Sequence, residues 1–160
     1  MAIAPVLRET PLVLDTDVFN DWRFQKQHAK QAIKDYISNH KAPPAMTSMT
    51  VFEVLYGFEK RAAESGGLDE RTRRDRDKVE QLIQYCGVLS FDQTAAAIAA
   101  YVFPRLSQRE RNKHWGDTFT AATVLAHGHG VATRNREDFE LIANHLPPSH
   151  PLLRLAVWRH

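Results

Sequence analysis

Residues 12–19 read LVLDTDVF. Three apolar residues run directly into two carboxylates, Asp15 and Asp17, and a helix-like pattern begins at once behind them. A short apolar β-rich run that stops at an acid is the signature of a buried strand delivering a side chain to its carboxyl end. Two readings of the acids follow. Asp and Thr begin helices well, because their oxygens accept hydrogen bonds from the free backbone N–H groups of the first turn. Clustered carboxylates also repel one another unless a cation neutralises them, so the pair equally suits one wall of a metal site. The remainder of the chain decides between these if further acids stand where other strands end.

Outward from this stretch the pattern alternates in kind. VFNDWRFQKQHAKQAIKDYISNH has helical spacing through Phe24, His28, Ile33 and Ile37. AMTSMT follows KAPP as a second short strand, and a helix is predicted from about Thr50 to Glu64, ended by SGGLD. A charged helix spans about Asp69 to Tyr85. GVLSF is a third strand, followed by an Ala-rich helix from about Gln93 to Leu106. GDTFTAATVLAHG reads as a helix closed by Gly128 and Gly130, GVAT as a fourth strand, REDFELIANHL as a helix and LLRLAV as a last edge strand. Short strands alternating with helices predict an α/β fold with a central, mainly parallel sheet in one domain spanning residues 1–160.

The totals agree with a globular chain. Of 160 residues, 43% are apolar and 25% charged, enough to bury a core without staples. No apolar run reaches the roughly 20 residues of a membrane span. MAIAPVLRETPLVLD has neither a basic leader nor a continuous apolar stretch, so a cytoplasmic protein with no membrane partner is expected. The single cysteine, Cys86, excludes an internal disulfide framework and reads as a buried inert thiol. A net charge of +2 does not announce a nucleic-acid binder. RLSQRERNKHW nevertheless sets Arg105, Arg109, Arg111 and Lys113 against one Glu, a local excess able to meet phosphate.

In an open parallel sheet, ligands bind beyond the carboxyl ends of the strands. There the sequence is acidic at nearly every turn. Asp15 and Asp17 follow the first strand, and Glu53 lies one turn into the helix after the second. Asp117 opens GDTFTAA, and Asn135 and Asp138 follow the fourth strand in ATRNREDF. Each has a bland role available: Glu53 stands three residues after Thr50, the spacing of a capping box, and Asp117 and Asp138 suit helix N-termini. Independent caps have no reason to recur at each ligand-side strand end. Asp92 in SFDQTAAA is assigned to capping alone. A carboxylate cluster of this kind holds Mg²⁺ through oxygen, and the ion activates water and stabilises the leaving oxygen of a phosphodiester.

These segments in this order closely resemble PIN-domain proteins, and among them the VapC-type toxins of bacterial toxin–antitoxin pairs, across about residues 11 to 157. The resemblance implies a PIN-like three-layer α/β/α fold and a Mg²⁺- or Mn²⁺-dependent endoribonuclease acting on RNA. It also implies a homodimer neutralised by a small protein antitoxin. Motif by motif, it gives Asp15, Glu53 and Asp117 the first three acidic positions. The fourth, after ATR, is commonly acidic and is Asn135 here, positioning water or substrate, with Asp138 compensating as a metal ligand from the next turn. Asp17 is an additional acid where Asn is often found. The apolar residues of the first two helices offer a groove for the antitoxin. Three rivals are weaker. A zinc site at His127 and His129 lies at a helix end, where exposure or a C-terminal charge role is the plainer account. A haloacid-dehalogenase-type phosphatase would want Thr or Val where Phe19 stands. A catalytically silent PIN-fold module binding RNA or protein is favoured by Asn135 and opposed by the three acids.

Overall fold

The computed structural model describes residues 3–159. The quoted stretch forms the strand β2 (Leu12–Leu14), all three residues buried, running into the helix α1 (Thr16–Arg23). The other strands are β1 (Ile3–Pro5), β3 (Met46–Thr47), β4 (Val88–Leu89), β5 (Gly130–Thr133) and β6 (Leu153–Val157). The other helices are α2 (Gln27–His40), α3 (Ser48–Ser65), α4 (Glu70–Cys86), α5 (Gln93–Val102), α6 (Gln108–Ala126) and α7 (Arg136–Ala143).

Every strand pair is parallel. One sheet has the order β1-β6-β5-β2, and β3-β4 forms a second piece joined to it by a bridge between Val13 and Ala45. A parallel sheet requires crossover helices, and these cover both faces, so its central strands are apolar on both sides. Alternation along β2 shows this directly. Val13 packs with Val102, Val124, Val131, Phe139 and Ile142 beneath α5–α7, whereas Leu12 and Leu14 pack with Phe19, Ile33, Met46, Val54 and Val79 beneath α1–α4. The result is the expected α/β/α sandwich.

Four details differ from the sequence reading. The first predicted helix is two, because Gln25 takes φ 61° and the N–H of Lys26 returns to the carbonyl of Asp21. Phe24 is consequently 62% exposed, and Ala29, Ile33 and Tyr36 form the buried face of α2. LLRLAV is not an edge strand, since β1 pairs outside it. The helix carrying Asp117 begins at Gln108 and kinks at His114 (φ −119°, ψ 20°), where the Thr118 hydroxyl donates to the His114 carbonyl at 2.8 Å. Gly128 (φ 69°) does end α6, but Gly130 opens β5. There the backbone carbonyl of Arg154 and the side chains of Leu12 and Val6 would stand 3.1 Å from any Cβ.

Candidate metal centre

Asp15 is the N-cap of α1, with extended backbone (φ −72°, ψ 173°), and its Oδ1 accepts from the Val18 N–H at 2.9 Å. Capping thus aims a carboxylate, 6% exposed, at the carboxyl edge of the sheet. Burial pushes its pKa up to about 7; hydrogen bonds from Thr133 and Val18 oppose the rise, and the charges of Asp17 and Asp117 add to it.

Glu53 does not form the capping box its spacing allowed. Thr47 caps α3, accepting from the Thr50 N–H. Glu53 is left free to turn toward α1, where the Thr16 hydroxyl donates to its Oε1 at 3.0 Å. Burial raises its pKa as well, with a further push from Asp17. The half-buried carboxylate lies against Gly116, at which an added Cβ would come within 3.3 Å of Oε1. A bare backbone at 116 therefore lets α6 approach α3 and brings Asp117 to Glu53.

Asp117 sits just past the kink. Its Oδ2 is 3.3 Å from Nδ1 of His114, and the same nitrogen is 4.0 Å from Oδ1 of Asp138. Burial pushes the Asp117 pKa up to about 6; the His114 contact opposes this, whereas Asp138 and Glu53 add to it. Ligand atoms of His114, Asp117 and Asp138 all lie within 4.8 Å of one another.

Asn135, at the start of α7, makes no side-chain cap. Its Nδ2 donates to Oδ2 of Asp17 at 2.7 Å, tying the end of β5 to α1 across the sheet edge. Arg134 lies 3.8 Å from Asp17 and 3.3 Å from Asp21, and His28 is 3.1 Å from Asp21. This cation serves the outer rim. Among the described residues, neither Asp15 nor Glu53 forms an ion pair, and Asp117 has only His114.

Of the residues singled out in the sequence, the structure brings Asp117 beside Asp138 and sets Asp117 within electrostatic reach of Asp15 and Glu53. The sequence reading missed His114, Thr16 and Thr133. His114 stands three residues before Asp117, a same-face spacing on a helix that could have flagged it. The basic segment is partly spent elsewhere. Arg105 lies over the Tyr101 ring at 3.6 Å and donates to the Tyr101 carbonyl, and Arg111 donates to the carbonyls of Phe103 and Leu106. Arg109 and Lys113 remain exposed. His127 contacts the Ser90 carbonyl at 2.9 Å and His129 the His127 carbonyl, so this pair is structural. Asp92 caps α5, accepting from the Ala95 N–H, and buried Cys86 has its pKa pushed up to about 12 by desolvation.

A parallel α/β/α sandwich with acids converging at its carboxyl edge defines a class, and the sequence comparison places the chain in it. Residues 12–144 match the PIN domain family, and the chain belongs to it. Its fold is shared with DNA-bound VapBC from Salmonella typhimurium (22% identity, TM-score 0.69, covering 94% of this chain and 99% of that one). It is likewise similar to VapBC2 from Rickettsia felis bound to a promoter DNA fragment (14% identity, TM-score 0.65, 92% and 98% covered). VapBC-1 from nontypeable Haemophilus influenzae is a third such structure (15% identity, TM-score 0.63, 92% and 97% covered). No curated protein matches the sequence.

The donor set fits a hard divalent cation. Five carboxylates interact electrostatically, and the three innermost, Asp15, Glu53 and Asp117, have raised pKa values, so neighbouring positive charge would be welcomed.

Proposed function

We propose that this protein is a divalent-metal-dependent endoribonuclease, the toxin of a type II toxin–antitoxin pair. One observation carries the reading: buried Asp15 and the partly buried Glu53 and Asp117 of a PIN domain converge, Asp117 repelling both of the others, without a Lys or Arg partner among the described residues. Asp15, Glu53 and Asp117 would hold Mg²⁺ or Mn²⁺, with Asp138 beside them. When bound, the ion would lower the pKa of an attacking water and stabilise charge on the leaving oxygen of an RNA phosphodiester. The chain's own groups orient the acids: Thr16 holds Glu53, His114 holds Asp117, and Asn135 holds Asp17. Asn135 gives one amide N–H to Asp17, and its second N–H and its Oδ1 are the groups assigned to positioning water or substrate. Arg109 and Lys113 are the exposed cations nearest in sequence to Asp117 and are assigned to the RNA backbone.

Two protein partners belong to this reading. A small antitoxin is assigned to the concavity of about 730 Å³ lined by Trp22, Phe24, Val79, Leu82 and Tyr85. Two of the similar structures are described as a toxin–antitoxin complex from Klebsiella pneumoniae and a member of the VapBC toxin–antitoxin family from Mycobacterium tuberculosis. A second copy is assigned to the aromatic band of Phe52, Tyr56 and Trp115, in which Phe52 stacks on Tyr56 at 5.8 Å and meets Trp115 edge-on at 6.1 Å. With these rings 39–54% exposed, roughly 300 Å² of aromatic surface is bare, the apolar centre of an isologous contact. No described helix is long and apolar enough to cross a membrane, in keeping with action in the cytoplasm.

The test is cleavage of a small-RNA pool with added Mg²⁺ or Mn²⁺, comparing the natural chain with Asp15→Asn. Metal-dependent cutting lost in the variant supports the nuclease. No cutting by folded, partner-free protein replaces it with a silent PIN module that binds RNA or protein.

A further inference from the structure

We infer that His114, Asp117 and Asp138 form a mixed nitrogen–oxygen cation position that prefers a first-row transition ion to Mg²⁺, with His114 as a direct ligand. The inference rests on the metal-dependent reading above and specifies which ion that site takes. Oxygen-only sites suit Mg²⁺, which seeks carboxylates and water, whereas an imidazole nitrogen adds affinity for transition ions along the Irving–Williams order. The three ligand atoms lie within 4.8 Å of one another, a separation one ion can span. His114 is 5% exposed, and its ring contacts are the carboxylates of Asp117 and Asp138, so the imidazole is aimed into the cluster. The kink in α6 makes this possible. At His114 the backbone leaves helical geometry, and the Thr118 hydroxyl takes up the carbonyl thereby released. Asp138 comes from a different element, α7, and is 37% exposed at its side chain, which leaves an approach for the ion from solvent.

The alternative is that His114 only orients Asp117, as an outer partner commonly does for a metal-bound carboxylate. The two differ in what a metal reports. Untagged protein is titrated with Mn²⁺, followed by electron paramagnetic resonance, and bound Mn²⁺ is probed for coupling to nitrogen by electron spin-echo envelope modulation. The natural chain is run both unlabelled and with ¹⁵N-histidine, and Mg²⁺ is added in competition. Direct ligation gives a nitrogen coupling that changes with the isotope and is absent from His114→Gln. That variant also loses at least tenfold in Mn²⁺-over-Mg²⁺ preference. Mn²⁺ binding without nitrogen coupling, or a variant that weakens both ions alike, overturns the assignment.

Should His114→Gln fail to fold, His114→Phe keeps a buried ring there without a ligating nitrogen. Loss of the coupling in that variant supports the site, and its retention assigns the nitrogen to another histidine and overturns it. A natural chain that binds no divalent ion at all defeats the proposed function itself, a result distinct from binding without nitrogen.

Discussion

Replacing Asp15 by Asn is expected to abolish cleavage and, in the metal-free protein, to raise stability. The Asp15 carboxyl is buried, and its pKa stands at about 7 against an ordinary 3.8. Because the folded-state value is raised, the folded protein keeps this proton over a range in which the unfolded chain has released it. The group's contribution is therefore fully favourable below pH 3.8 and is lost as pH rises toward 7. Each pH unit in that window costs about 1.4 kcal/mol, so the penalty reaches roughly 4 kcal/mol at pH 8 and roughly 1 to 2 kcal/mol at pH 5. Asn has nearly the same shape, caps a helix as well as Asp and brings no charge to desolvate. For a domain of this size, the variant's melting temperature should exceed the natural one by roughly 8–16 °C at pH 8 and roughly 3–6 °C at pH 5. Calorimetry on chelator-treated protein at the two pH values measures this, and added Mn²⁺ should stabilise the natural chain more than the variant. A variant less stable at pH 8, or a gain independent of pH, would refute the claim that burial of a charge at Asp15 strains the metal-free fold.

Asp117→Asn should reduce cleavage by more than roughly 100-fold, beyond what loss of a merely supporting partner costs, while circular dichroism stays unchanged; full activity would remove Asp117 from the site. Gly116→Ala places a methyl 3.3 Å from Glu53 Oε1 and should slow cleavage roughly 3–10-fold without lowering the melting temperature, since Ala favours the helix and only the carboxylate must give way. Tyr56→Asp puts charge into the bare aromatic band and should convert a dimer to monomer in light scattering; a natural chain that is already monomeric would exclude that face as a contact between copies.

What the sequence disclosed, and what it hid, follows from how local each cause is. Leu12, Val13 and Leu14 announce a buried strand because a parallel sheet covered on both faces demands unbroken apolar runs, and all three are buried. Asp15, Glu53 and Asp117 were legible because they stand beside such runs. β1 was not, since Ile3–Pro5 is three residues with a proline and becomes a strand only by pairing with β6. Phe24 misled for the opposite reason. Its spacing fits a continuous helix, and no Gly or Pro marks the break at Gln25, where a non-glycine residue takes positive φ. His114 and Asn135 owe their contacts to a kink and to a bond across 118 residues of sequence, neither of which a local pattern encodes.

The same dual use of side chains explains why the site has its form. Asp15 is a helix cap and a candidate ligand together: the capping bond occupies Oδ1 and fixes the direction of the group. Each neighbouring acid has a comparable neutral donor, Thr16 for Glu53 and Asn135 for Asp17, and His114 contacts Asp117. Neutral donors hold a carboxylate in place but do not cancel its charge: at Asp15 and Glu53 their pKa-lowering effect is smaller than the rise from burial, and at Asp117 the lowering by His114 is smaller too. Had Arg134 lain among these three instead of at Asp17 and Asp21, it would have offset one of their charges and weakened the cluster's pull on a cation. Orientation by neutral groups, with the cation kept at the rim, leaves a rigid negative site whose instability a bound divalent ion would relieve.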